Sequence, residues 1–115
     1  MLKKAPLAFC LVLLLVCSCK KANETNTYSI SIYGTDNCGI TTAFRNACLS
    51  SGLEFQYFNV DISTENKNKM WEVVHQFSLG SGGKILYPVV YVQKNTETFG
   101  FERPNIDDIK KLLEK

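Results

Sequence analysis

Hydrophobic and polar positions divide the chain into parts with different patterns. Residues 7–17 form an unbroken apolar run, LAFCLVLLLVC, whereas residues 20–27, KKANETNT, are polar and show no period. From residue 28 onward, apolar residues recur at every second position or at helical spacing, as in half-buried strands and amphipathic helices. We therefore predict a short hydrophobic leader, a flexible polar tether and one folded domain, residues 28–115.

The periodicity after residue 27 predicts the element order β-α-β-α-β-β-α. Alternation in YSISIY predicts the first strand, and Gly34 to Asn37 have the composition of a turn. Pro88 interrupts the third strand near its start, and Lys94-Asn95 is predicted as the hairpin turn that follows it. The predicted elements are strand 28–33, a helix from 38 or 39 to about 51, strand 53–60, a helix ending near 79, strand 85–92, strand 96–101 and a helix from 105.

The two longer helices carry signals at their ends. Asp36 or Asn37 is expected to cap the first helix, and Gly52 is expected to end it. Caps lie within residues 61–64 before the second helix, and residues 80–83, GSGG, break it. The apolar side of the first helix is expected to hold Ile40, Ala43, Phe44, Ala47 and Cys48.

The order of elements restricts the topology of the predicted sheet. A helix joins the first two strands, which should therefore be parallel with a right-handed crossover. A tight turn joins the last two strands, which should therefore be antiparallel. The sequence predicts an α/β fold, a mixed four-stranded sheet flanked by three helices.

The leader has the features of an export signal. Lys3 and Lys4 precede an apolar run of 11 residues, which is shorter than the roughly 20 needed to span a bilayer, and this combination is typical of secretion signals. Val16-Cys17-Ser18-Cys19 resembles the lipobox of bacterial lipoproteins, although Cys17 is unusual within one. The resemblance implies that residues 1–18 are removed and that Cys19 is lipidated, with residues 19–27 forming the lipidated cysteine and tether. An ordinary secretory signal or an uncleaved anchor stays open as an alternative.

Removal of residues 1–18 changes the charge of the protein. Lysine plus arginine falls from 13 to 11 because Lys3 and Lys4 are lost, and all 11 acidic residues stay. The exported chain is therefore close to neutral, and no basic surface points to a nucleic acid. The expected location is the bacterial cell envelope, where a lipid anchor binds the membrane and the domain faces the periplasm or the exterior.

Cys38 is the residue best placed for chemistry. It follows the first strand at the start of a helix, where unpaired N–H groups and the helix dipole stabilise a thiolate. Thr41 lies three residues on, so its hydroxyl is expected beside the sulfur. The alternative is an inert, half-buried cysteine at a strand end.

Three segments together resemble the thioredoxin superfamily, and its glutaredoxin branch most closely. They are Cys38-Gly39-Ile40-Thr41, Tyr87-Pro88 and residues 99–104, FGFERP. The resemblance implies a thioredoxin-like fold over residues 28–115, with Cys38 and Thr41 as catalytic residues. It also implies that Pro88 is a cis-proline facing Cys38, and that Gly39, Ile40, Tyr87 and Pro88 bind the substrate.

The motif departs from the dithiol members of this superfamily. Thr41 occupies the second cysteine position, as serine does in the Cys-Gly-Phe-Ser motif of monothiol glutaredoxins, which act with glutathione and in some cases bind an iron–sulfur cluster. Glu102 and Arg103 stand where many glutaredoxins have a glycine pair and a glutathione-contacting acid. No bound cofactor is therefore predicted, and glutathione is a candidate co-substrate.

A single active thiol needs a second thiol to release its product. Cys48 lies ten residues further along the same helix, roughly 15 Å away at about 1.5 Å per residue, whereas a disulfide needs Cα atoms within about 7 Å. We expect Cys48 to face the core, so that glutathione or a partner protein resolves Cys38. His75 is the sole histidine, which leaves too few ligands for a mononuclear zinc site.

Two functions follow from these residues. The first is a membrane-tethered thiol–disulfide oxidoreductase of glutaredoxin type that exchanges mixed disulfides with thiols of exported proteins. The alternative is a catalytically silent binding module that holds a peptide, glutathione or an iron–sulfur cluster.

Overall fold

A single mixed sheet organises the chain, and the computed structural model describes residues 27–114. The predicted leader 1–18, Cys19 and the tether up to residue 26 lie outside the described residues. The elements are β1 (Tyr28–Gly34), α1 (Gly39–Ser50), β2 (Gln56–Asn59), α2 (Thr64–Gln76), β3 (Val89–Lys94), β4 (Glu97–Glu102) and α3 (Ile106–Glu114). The predicted element order is confirmed.

The strands lie in the order β2-β1-β3-β4. β1 pairs with β2 in parallel, and β3 is antiparallel to both β1 and β4. The predicted mixed sheet of four strands with three helices is therefore confirmed. As a result, the ends of β1, β2 and β4 and the start of β3 all meet at one edge of the sheet, which we call the reactive edge.

Helices cover both faces of the sheet, and each face has its own apolar core. The α1 and α3 side chains pack on one face, and the α2 side chains pack on the other. Burial of each large apolar side chain contributes about 1.5–3 kcal/mol to stability. The first core contains Ile30, Ile32, Phe44, Cys48, Val90, Val92, Ile109 and Leu113, and the second contains Tyr33, Val60, Met70, Val73, Val74 and Val89.

The start of α1 differs from the expected one. Cys38 itself is the N-cap residue, and no side chain caps the helix, so the prediction of Asp36 or Asn37 as the cap was wrong. The buried side carries Thr41, Phe44 and Cys48, whereas Ile40 is 45% exposed and Ala43 is also exposed. The helix is rotated from the expected orientation because Thr41 packs directly against Gly34.

The other boundaries shift by a few residues. Gly52 has φ 75° directly after α1, and Ser63 caps α2 by accepting from the Asn66 amide at 3.1 Å, both as predicted. β2 and β3 are shorter than expected. The turn before β4 is Asn95-Thr96, because Lys94 and Glu97 are the last register partners of β3 and β4. Residues 85–88 are irregular, and β3 begins directly after the cis Tyr87-Pro88 peptide.

Within residues 27–114, the helices are too short or too polar for any of them to cross a membrane.

Candidate active site

Cys38 lies at the reactive edge, in the turn that joins β1 to α1. Its amide donates to the Thr35 carbonyl at 3.3 Å, and its own carbonyl accepts from the Thr42 amide at 3.1 Å. The residue is partly exposed, so its sulfur is accessible from solvent. The strand-turn-helix placement predicted for this cysteine is confirmed.

The surroundings of Cys38 favour its thiolate. The hydroxyl of Thr41 lowers the pKa of the Cys38 thiol most strongly by hydrogen bonding to the sulfur. Partial burial opposes this effect, and the N–H groups of Thr41 and Ile40, together with the charge of Arg103, lower the pKa further. The net result is a Cys38 pKa below its ordinary value, which is the condition for a nucleophilic cysteine.

Thr41 faces inward, beneath the sulfur. Its side chain is fully buried, and its Oγ1 has no partner within the full distance and angle limits of a hydrogen bond. The Cys38 sulfur is the acceptor on which it acts, and a hydrogen bond to a charged sulfur is stronger than one to a neutral thiol. We therefore expect Thr41 to donate to Cys38 chiefly when the sulfur is a thiolate.

Cys48 is unsuited to reaction. It is fully buried in the core beneath α1, and burial raises the pKa of its thiol to about 11. Both Cys38 and Cys48 are free thiols. The prediction that Cys48 faces the core is confirmed.

Tyr87 and Pro88 directly precede β3, at the same edge of the sheet as Cys38. Their peptide bond is cis, as the resemblance implied. Burial raises the pKa of the Tyr87 phenol most, and the charges of Asp61 and Cys38 raise it further. Tyr87 therefore lies close enough to the sulfur to respond to its charge.

Gly39 and Ile40 complete the group of residues that the sequence placed at the site. Both are exposed at the start of α1, directly after Cys38. Ile62 and Leu86 are also exposed, at 79% and 51%, in the loops that follow β2 and precede β3. Three exposed apolar side chains therefore lie around the reactive edge, Ile40 in the first turn of α1 and Ile62 and Leu86 in the loops.

Glu102 fixes the loop that carries Tyr87 and Pro88, a role that sequence reasoning missed. One carboxylate oxygen accepts from the Gly80 amide at 3.0 Å, and the other accepts from the Leu86 amide at 2.8 Å. Together these bonds fix the chain on either side of the short hairpin that the Ser81–Lys84 bridge closes. The signal in the sequence was the antiparallel pairing of β3 and β4, which places the end of β4 opposite the start of β3.

Arg103 holds the adjacent part of the same loop. Its amide donates to the Pro88 carbonyl at 2.7 Å, and its Nε donates to the Tyr87 carbonyl at 2.8 Å. The residue has φ 49°, a left-handed conformation that costs a non-glycine residue free energy. The two hydrogen bonds offset that cost and keep the guanidinium near Cys38.

A second polar cluster fixes the turn before Cys38, and no sequence pattern indicated it. The Tyr57 hydroxyl donates to Asp36 Oδ1 at 2.8 Å, and the Arg45 guanidinium lies 3.7 Å above the Tyr57 ring. Burial and the hydrogen bond to Asp36 raise the pKa of Tyr57 to about 12. The phenol therefore stays a donor, and it ties the turn to β2.

The described residues offer little for binding a metal. Within residues 27–114, no group of three or more His, Cys, Asp or Glu side chains is placed to hold a metal ion. Iron–sulfur clusters are held by cysteine thiolates, and Cys38 is the accessible thiol of this part of the chain. The described part of one chain therefore does not fit such a cluster.

Comparisons with known proteins support the fold. No family model and no curated protein sequence matches the chain. The crystal structure of the glutaredoxin Grx-1 from Archaeoglobus fulgidus is similar, with a TM-score of 0.50 and 20% sequence identity over 75% of this chain and 86% of that one. At this identity the likeness concerns the fold, and the predicted thioredoxin-like fold of glutaredoxin type is confirmed.

Proposed function

We propose that the protein is a thiol–disulfide oxidoreductase in which Cys38 is the single nucleophile. The observation that carries the proposal is the accessible Cys38 sulfur at the start of α1, with a Cys38 pKa lowered by Thr41, two N–H groups and Arg103. The fold shared with a glutaredoxin supports the same reaction class.

The reaction has two steps that balance without any bound cofactor. The Cys38 thiolate attacks one sulfur of a substrate disulfide, the substrate S–S bond breaks, and the other substrate sulfur leaves as a thiolate with the electron pair. The new bond is a mixed disulfide between Cys38 and the retained part of the substrate. An external thiolate, from glutathione or a partner protein, then attacks the retained sulfur and restores the Cys38 thiolate. The retained part leaves joined to the external thiol by a disulfide bond. Over the two steps, the external thiol is oxidised and the first leaving group is reduced.

Each remaining site residue has a role in this scheme. Thr41 donates to the sulfur when it carries negative charge, both before attack and when Cys38 is released. Gly39 and Ile40 leave the approach to the sulfur open, since both are exposed. Tyr87 and Pro88 form the opposite wall, which Glu102 and Arg103 hold in place.

The need for an external thiol follows from the burial of Cys48. Its sulfur is enclosed in the core and its pKa is raised to about 11, so it supplies no thiolate at neutral pH. The proposed enzyme is therefore monothiol within residues 27–114.

The amino-terminal segment adds a location to the proposal. The lipobox-like sequence Val16-Cys17-Ser18-Cys19 supports a lipid anchor on Cys19 that holds the domain in the bacterial cell envelope. The substrates would then be thiols and mixed disulfides of exported proteins. Labelling with radioactive palmitate, with Cys19→Ala as the variant and Cys17→Ala as its control, tests the anchor.

Measuring reactivity of residues 20–115 tests the catalytic proposal. Alkylation rate against pH reports the Cys38 pKa, and reduction of a glutathionylated peptide reports turnover, with Cys38→Ser as the control. We expect a pKa below the ordinary value of about 8.5 and turnover that requires an external thiol. An ordinary pKa without turnover would overturn the proposal, and retained peptide binding would then favour the silent binding module.

A further inference from the structure

Arg103 places a cation at the reactive edge, within electrostatic influence of the Cys38 sulfur, in a fixed orientation. Its backbone amide and its Nε are both engaged, by the Pro88 and Tyr87 carbonyls at 2.7 and 2.8 Å. The guanidinium is therefore held from its Nε side. Its terminal nitrogens carry the remaining donors, in the planar arrangement that matches a carboxylate.

Among the described residues, no acidic side chain of the reactive edge forms an ion pair with this cation. Asp36 accepts from Tyr57 and pairs with Arg45 at 3.8 Å. Both carboxylate oxygens of Glu102 accept hydrogen bonds from backbone amides. Asp61 influences the Tyr87 phenol, but Arg103 forms no ion pair with it or with any other residue in the described range 27–114.

We propose that Arg103 determines substrate specificity by binding a carboxylate carried beside the reacting disulfide. The inference rests on the proposed function and names the substrate class for the same site. Arg103 is exposed and close enough to act on the Cys38 sulfur. Because Arg103 is bonded to the Tyr87 and Pro88 carbonyls, a carboxylate bound by its terminal nitrogens would lie at the same edge of the sheet as the disulfide under attack.

The carboxylate has two sources that share this chemistry. One is an acidic residue next to the cysteine of a peptide, and the other is a carboxylate of glutathione. We expect the charge-assisted contact at an exposed site to favour acidic over amide substrates by about three- to tenfold in kcat/KM. Most of the difference should fall in KM, because the contact forms when the substrate binds.

The test measures the turnover of matched disulfide substrates by the unaltered protein and by variants of Arg103. The substrates are a peptide mixed disulfide with Asp beside the cysteine, its Asn counterpart, glutathione disulfide and its ethyl ester, and the neutral hydroxyethyl disulfide. The readout is the ratio of kcat/KM for each acidic substrate to that for its neutral counterpart. A change in the Cys38 pKa cancels in this ratio.

Arg103→Gln should bring the ratio to about one, and Arg103→Glu should invert it. Arg103→Gly, which accommodates the positive φ, controls for disturbance of the backbone, and it should also lose the preference. Lys67→Gln, on the exposed surface of α2, removes one positive charge far from Arg103 in the sequence and should keep the preference for acidic substrates. The preference of the unaltered protein should weaken with added salt.

The outcomes separate this inference from the proposed function. Turnover of hydroxyethyl disulfide without any preference for the acidic substrates would overturn the role of Arg103 and leave the oxidoreductase intact. A preference that Arg103→Gln retains would also overturn it. Failure to turn over every disulfide would overturn the proposed function itself. A preference in the peptide pair alone, or in the glutathione pair alone, identifies the source of the carboxylate.

Discussion

Gly34 and Thr41 share one space between the end of β1 and the first turn of α1. A Cβ on Gly34 would lie 2.6 Å from Thr41 Oγ1 and 2.7 Å from its Cγ2. These atoms belong to a fully buried side chain that has little room to move. The glycine therefore allows the threonine to lie under the Cys38 sulfur.

Gly34→Ala should destabilise the protein and disturb the thiol together. We expect a loss of about 1–3 kcal/mol from overpacking, measured by urea unfolding, and slower alkylation of Cys38 because Thr41 is displaced. Gly39→Ala is the matched control, since a Cβ there meets nothing within 4 Å. Equal stability of Gly34→Ala and the unaltered protein would contradict the close contact.

Thr41→Val should separate reactivity from stability. The substitution removes the donor that most lowers the Cys38 pKa, so that pKa should rise and alkylation at pH 7 should slow several-fold. At a pH below the Cys38 pKa, where the sulfur is a neutral thiol, the buried Oγ1 has no partner in full hydrogen-bond geometry, so stability should be unchanged or higher by up to about 1 kcal/mol. Alkylation across pH and urea unfolding measure the two effects, with Thr41→Ser expected to restore reactivity. An unchanged pH profile would argue against hydrogen bonding to the sulfur.

Mild alkylation should distinguish the two thiols of the folded domain. With iodoacetamide at pH 7, residues 20–115 should take up one label, on Cys38, because Cys48 is buried and its pKa is raised to about 11. Unfolding in urea should expose the second thiol. Mass spectrometry of the labelled peptides checks both, and rapid native labelling of Cys48 would show that the core opens.

The Cys38 thiolate should make stability depend on pH in one direction. The folded-state pKa lies below the unfolded one, so the folded state binds fewer protons between these two values. The stabilising contribution is therefore complete above the unfolded pKa and is lost as the pH falls through the folded one. Urea unfolding of the unaltered protein and of Cys38→Ser, compared across this range, should show a difference that increases with pH.

Glu102→Gln should loosen the loop before β3. A glutamine has one side-chain oxygen, so it can accept from the Gly80 amide or the Leu86 amide but cannot serve both as the carboxylate does. We expect a loss of about 1–2 kcal/mol and faster hydrogen exchange at the released amide. Glu54→Gln, an exposed residue ahead of β2, is the control. Unchanged exchange at both amides would mean that the hairpin holds the loop without Glu102.

Local patterns were sufficient for most of the fold. Period-two alternation placed β1, helical spacing placed α2 and α3, and the connections between elements indicated the parallel and antiparallel pairs. The errors lie where long-range contacts override local signals. Thr41 was expected beside the sulfur but not on the buried side of α1, because its contact with Gly34 depends on how the helix packs on the sheet.

The candidate site was predictable only in part for the same reason. Cys38 could be identified from its position at a strand end and a helix start, which are neighbours in the sequence. Glu102 and Arg103 act on residues that precede β3, and strand pairing sets that contact. Tyr57 reaches Asp36 across 21 positions of the sequence, a separation that no motif encodes.

The burial of Cys48 has a consequence for the oxidised form of the protein. With that sulfur enclosed in the core, Cys38 has no second thiol to pair with inside residues 27–114, so a disulfide at Cys38 joins this domain to a thiol outside it. The disulfide form is then a covalent adduct, and its mass is that of the domain plus the bound partner. Trapping this adduct from cells and measuring its intact mass would therefore give the mass of the bound partner and identify it.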